Sequence, residues 1–100
     1  MDKREALNKV ADYKRLLSDH FNLDKVVMYG SYANGRQRED SDIDVAVIVN
    51  SIDVDFFEYA PLLWKLCMLV DDRIEPILID KQHDQGDFLN AVLSSGIVVE

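Results

Sequence analysis

Near the start of the chain apolar residues recur at helical spacing. Leu7, Val10, Ala11, Leu17 and Phe21 share one side of the repeat, and Asp2 followed three positions later by Glu5 supplies a capping box. The spacing predicts an amphipathic helix. The pattern then tightens into Val26, Val27 and Met28, a short apolar run stopped by Gly30, which reads as a strand. Residues 30–41 are Gly, Ser, Asn, Arg and acids, a polar connection with room for one short helical turn. Over residues 43–49 β-branched side chains dominate, and both alternating sets are apolar after Asp44. That is the pattern of a strand covered on both faces and placed in the middle of a sheet.

Asp53 and Asp55 then offer N-caps to a helical segment ending near Val70. Its core candidates are Phe56, Phe57, Leu62, Leu63, Leu66 and Leu69, with Trp64 in the same stripe. Pro61 is expected to kink this segment or to start a second helix. Residues 73–79 read as a third strand, and Pro76, which cannot donate to a ladder, places it at a sheet edge. Residues 87–95 form a last helix carrying Phe88, Leu89, Val92 and Leu93, closed by Gly96 in the C′ position. The order is helix, strand, loop, strand, helix, strand, helix. It predicts an α/β (α+β) fold, a small mixed sheet flanked by helices, in one domain spanning residues 1–100.

Composition narrows the function. Hydrophobic residues are 48% and charged residues 30% of the 100 positions, the balance of a globular protein with a true core. A net charge of −8 repels nucleic acid and anionic membranes, so a protein or metal-bound partner suits the surface better. Cys67, the sole cysteine, lies in an apolar stretch and reads as a core residue, and no intrachain disulfide can form. His20 and His83 are far apart and have no cysteine companions, which argues against zinc. The opening segment MDKREALNKV lacks the apolar centre of a signal peptide, and no run of 18 apolar residues occurs, so a cytoplasmic location is expected.

The candidate chemistry lies in MYGSYANGRQREDSDIDVAVI, residues 28–48. Asp42 and Asp44 are two apart at the head of a buried strand, so their side chains leave one face, roughly 7 Å apart along the backbone. Two such charges about 4 Å apart repel by about 4 kcal/mol at an effective dielectric near 20. A divalent ion offsets this better than one lysine, and Mg²⁺ held by carboxylates usually brings nucleotide phosphates with it. The alternative is that Asp42 merely ends the turn and Asp44 faces solvent. It is disfavoured because aspartate is depleted in strands and five apolar residues follow Asp44. Glu75, sharing a face with Ile77 and Ile79, becomes a third acid if the second and third strands are neighbours; taken alone it reads as an edge charge.

Gly30 directly after a strand lets backbone approach a ligand, and Ser31 with its neighbouring amides can bind phosphate oxygens. By itself a Gly-Ser pair is a plain turn. Two familiar loops are excluded by spacing. GSYANGRQ has Arg36 and Gln37 where a phosphate loop needs lysine and serine or threonine, and DSDIDV has Val45 where a calcium loop needs glycine.

Gly30-Ser31, ten intervening residues, then Asp42-Ile43-Asp44 resembles the signature of the DNA polymerase β-like nucleotidyltransferase superfamily. GSYANG and SDIDVAV are most similar to its minimal group, small proteins often encoded beside a HEPN-domain partner. The resemblance spans nearly the whole chain and implies the polymerase β-like palm fold. It implies that Gly30 and Ser31 hold nucleotide phosphates and that Asp42 and Asp44 bind Mg²⁺ or Mn²⁺. Glu75 would assist with metal and deprotonate the acceptor, with Asp72 or Asp80 the next candidates for that last role. ATP is the implied substrate and a hydroxyl of a HEPN-domain protein the implied acceptor, with no direct nucleic acid or membrane contact. The alternative within the same resemblance is a non-catalytic, antitoxin-like subunit that occludes the partner. Asn34 stands where the family often has a basic residue, and the family's third acid is commonly aspartate. Self-association is left open.

Overall fold

Helix α1 (Lys3–Ser18) begins at the expected cap, where Asp2 Oδ1 accepts the Glu5 amide at 2.8 Å. The computed structural model describes residues 1–52, 56–83 and 87–100, the side chains of Phe56 and Phe57 excepted. The face that α1 buries is Ala6, Val10, Tyr13 and Leu17, with Leu7, Ala11 and Phe21 at its margin. Tyr13 was not among the expected core residues. It is buried because its hydroxyl donates to the Leu63 carbonyl at 2.8 Å, which satisfies the polar group and ties α1 to the next long helix.

Strand β1 (Asn22–Tyr29) pairs antiparallel with β2 (Ile43–Ser51), and β2 pairs parallel with β3 (Ile74–Asp80). The parallel crossover is made by α3 (Phe56–Met68), a single helix that runs through Pro61 with no second helix starting there. A fourth strand, β4 (Ile97–Val99), adds antiparallel to β1 and completes the order β3-β2-β1-β4. Thus β2 is interior and β3, with Pro76, is an edge, as the pattern predicts. The Ile43 amide donates to the Arg73 carbonyl at 2.8 Å, so by strand alternation Arg73 and Glu75 turn their backbone groups to β2 while Pro76 faces away.

Two layers of helix cover the sheet. Val26, Met28, Ile43, Val45, Val47, Val49 and Ile74 pack under α1 and α3, while Val27, Ala46, Ile48 and Ile79 pack under Val92 of α4 (Phe88–Ser95). Each fully buried aliphatic side chain stabilises by about 1.5–3 kcal/mol, and β2 supplies such residues to both layers.

Four expectations need correction or fall outside the described residues. Strand β4 was missed because three residues are too few to show periodicity, although Ile97, Val98 and Val99 are all β-branched. Gly96 is not in a left-handed C′ conformation; its φ is −96°, and it is glycine because a Cβ would meet Val27 and lie 2.7 Å from the Val92 carbonyl. On α3, Leu63, Leu66 and Cys67 face inward, but Trp64 and Leu69, expected in the core, are 48% and 68% exposed. Trp64 sits one position off the inward stripe and Leu69 follows the last helical turn. The proposed caps Asp53 and Asp55, and the core assignments of Phe56 and Phe57, lie outside the described residues.

Candidate active site

The end of the sheet where β1 stops and β2 starts brings the predicted residues together. Tyr29, the last residue of β1, is the cross-strand partner of Asp44, and Asp44 is in register with Glu75 on the other side. By strand alternation Asp44 and Glu75 share the face covered further along by α4, since Asp44 aligns with Ala46 and Ile48, and Glu75 with Ile77 and Ile79. Asp42, one residue before β2 begins, joins them through a side-chain hydrogen bond with Glu75. Helix α4 begins at Phe88, and the carboxylates lie at the sheet end toward that helix start, where Phe88 meets Tyr29.

Gly30 has a reason beyond ligand approach. Its φ is +72°, a region side-chain-bearing residues avoid, and a Cβ there would overlap the Asp44 carboxylate and stand 3.1 Å from its Cγ. Gly30 therefore makes room for Asp44. The following turn, α2 (Ser31–Asn34), is fastened by Ala33 and Asn34 amides donating to the Gly30 carbonyl at 3.1 and 3.2 Å. These bonds begin at Ala33, so the Ser31 and Tyr32 amides are outside the turn's own ladder. Buried Tyr32 anchors the turn in the core beneath α1 and α3, and Gly35, at φ +78°, ends it in the left-handed conformation.

The electrostatics match a cluster of like charges. Burial, and secondarily Asp42, pushes the Asp44 carboxyl above its ordinary value. Glu75 is also raised, first by the Asp42 charge, then by desolvation, hydrogen bonding to Asp42 and the Asp44 charge. Among the described residues no lysine, arginine or histidine forms an ion pair with Asp42, Asp44 or Glu75.

Nor do three acidic, histidine or cysteine side chains among the described residues close into a ready-made metal cage. The arrangement fits an ion that takes part of its coordination from elsewhere: Mg²⁺ is commonly bound by one or two carboxylates plus substrate phosphates. The unneutralised charge of the cluster is the observation that favours such an ion.

Asp72 and Asp80 do not join this group. Asp80 is at the opposite end of the parallel pair, in register with Val49, and accepts from the Gln82 amide and His83. Asp72 is exposed in the turn before β3. Two neighbours escaped sequence reasoning. Tyr29 flanks Asp44, and its position directly before Gly30 was the available signal. Asp71 accepts from Lys9 Nζ at 2.6 Å and from Arg73 Nε and Nη2 at 3.0 and 2.9 Å, a node that nothing in sequence spacing marks.

Comparison with known proteins identifies the family and the fold. Residues 11–100 match the family model described as polymerase beta, nucleotidyltransferase. A protein of Methanocaldococcus jannaschii named as a protein adenylyltransferase is 30% identical over 95% of the chain and 91% of its own length. Among solved structures, a Sulfolobus solfataricus protein described as a nucleotidyltransferase superposes with a TM-score of 0.72 at 18% identity, covering 96% of this chain and 80% of that one. A toxin–antitoxin complex with AMP-PNP contains a chain that superposes with a TM-score of 0.68 at 27% identity, covering 94% and 72% respectively.

Proposed function

The chain belongs to the polymerase beta nucleotidyltransferase family, and from that premise we propose that it is an Mg²⁺- or Mn²⁺-dependent adenylyltransferase that modifies a hydroxyl of a HEPN-domain partner. The observation that carries the site assignment is the side-by-side placement of Gly30, Asp44 and Glu75 at one sheet end. In this reading Ser31 and the free amides of α2 hold the phosphates of ATP. Asp42 and Asp44 hold the cation, whose contribution is charge neutralisation of the phosphates and of the departing pyrophosphate.

The acceptor hydroxyl approaches from the β3 side. Its oxygen bonds to the α-phosphorus while the bond from that phosphorus to the bridging oxygen breaks, so pyrophosphate leaves and AMP stays on the acceptor. The proton passes to Glu75, whose carboxylate is made more basic than usual by Asp42 and by desolvation. The protein-adenylyltransferase name of the Methanocaldococcus relative and the toxin–antitoxin context of the AMP-PNP complex support this choice of nucleotide and partner. An added AMP would place negative charge on the partner, which opposes the binding of any polyanion there.

A second reading, occlusion of the partner without transfer, is favoured by Trp64, Met68 and Leu69, exposed by 48%, 60% and 68% around the end of α3. Co-expression with a HEPN-domain partner separates the two. Intact mass should show adenylate increments on that protein, absent when Asp42→Asn and Asp44→Asn are combined. Neutralisation by the double variant with no added mass would establish occlusion instead.

A further inference from the structure

Beside the carboxylates lies an aromatic pair that the transfer chemistry does not use. Tyr29 meets Phe88 edge to face, with ring centroids 6.1 Å apart and planes at 88°. Helix α4 turns Val92 fully, and Leu89 and Leu93 partly, toward the sheet, yet its first residue, Phe88, stays 43% exposed. A large apolar ring at a helix start has no packing reason to remain half in water. Its contact with Tyr29 fixes it against the strand end that runs into Gly30.

The sheet order sets what can reach this pair. In β3-β2-β1, Glu75 and Tyr29 stand on opposite sides of Asp44. In-line displacement puts the acceptor opposite the leaving pyrophosphate, so an acceptor entering beside Glu75 leaves the β1 side to the nucleotide. Gly30 and Ser31 continue directly from Tyr29 and take the phosphates there. The part of the nucleotide still without a partner is its base, a flat π-face for which a half-exposed aromatic ring is a fitting surface.

We propose that Tyr29 and Phe88 form the nucleobase platform of this site, with Phe88 making the direct stacking contact and Tyr29 bracing it. The proposal rests on the nucleotidyl-transfer reading above. Stacking tolerates any base, so the platform gives affinity and orientation without strong selection among purines.

Binding to the full chain in MgCl₂ is compared for ATP, inorganic tripolyphosphate and the triphosphate of 2-aminopurine riboside, whose fluorescence is quenched on stacking. Phe88→Ala, at a half-exposed position, should weaken ATP by about five- to tenfold, the lower range for a base–aromatic stack, and relieve the quenching. Tripolyphosphate affinity should stay unchanged, and Phe88→Tyr should restore both readings. Equal ATP affinity in wild type and Phe88→Ala, or equal losses for ATP and tripolyphosphate, overturns the platform while leaving nucleotide binding intact. A wild-type chain that binds neither ATP nor tripolyphosphate overturns the transfer reading itself, and the platform with it.

Discussion

Two acidic groups sit four residues apart around the start of β3 and live under opposite electrostatics. The Asp71 side chain is 7% exposed and fully engaged: the Arg73 guanidinium grips it with two nitrogens, Lys9 adds a third bond, and the Arg73 amide donates to it at 2.9 Å. Hydrogen bonds from Arg73, with Lys9 beside it, hold its carboxyl well below the usual range. Glu75, with Asp42 and Asp44, has like charges for neighbours and is driven upward, as is Asp44. A carboxylate retained for structure is given its counter-charges by the chain itself. Asp42, Asp44 and Glu75 have no counter-charge among the described residues, the deficit that the proposed cation would fill.

Charge removal should therefore act oppositely at the two places. The largest effect is expected for Asp42→Asn combined with Asp44→Asn: transfer should fall by about three orders of magnitude or more. Melting in metal-free buffer should hold steady or rise, because mutual repulsion is removed. A large drop in melting temperature would erase the contrast by showing these acids to be satisfied structural groups. Glu75→Gln should lower turnover by about a hundredfold, measured at saturating ATP, with ATP affinity little changed. Equal loss in both would make Glu75 a binding group.

At the structural cluster, Asp71→Asn should cost about 2 kcal/mol in denaturant unfolding by leaving Lys9 and Arg73 without their shared anion. The sign of its pH dependence follows from the depressed carboxyl. Stability from Asp71 is present above the unfolded carboxylate value of about 3.9 and is lost as pH falls through the lower folded value. The gap between wild type and variant should stay level from about pH 8 to pH 5 and close below about pH 4. A gap that widens in acid would refute the pairing.

The smallest effect tests how the two demands on Gly30 divide. Gly30→Ala is strained by φ +72° and obstructed by the Asp44 carboxyl. In an Asp44→Ala background the carboxyl is removed and only the Cβ contact at 3.3 Å remains, so the cost of Gly30→Ala should drop by about 1 kcal/mol, read from unfolding of the four members of the cycle. Full additivity would mean that backbone strain alone requires glycine.

What the sequence determined by itself were features set by neighbours in the chain. The unbroken apolar, β-branched run over residues 43–49 identified the interior strand, the Asp2–Glu5 spacing identified the cap of α1, and Pro76 identified the edge. The spacing of Asp42 and Asp44 predicted a shared face from the period of two in a strand. Strand β2 begins only at Ile43, and it is the hydrogen bond to Glu75 that brings Asp42 to the group. The tertiary structure decided everything that depended on distant segments meeting. The parallel register of β2 and β3 set Glu75 beside Asp44 rather than one residue away, and a slip by one would have turned it to the other face. Packing across Asp44 explained Gly30, and packing against Val27 explained Gly96, which its place at a helix end had misdescribed. Strand β4, the Asp71 node and the Tyr29–Phe88 contact join residues far apart along the chain. Local spacing carries no trace of such pairs, since their energy exists only once the intervening chain has folded and its closure entropy has been offset.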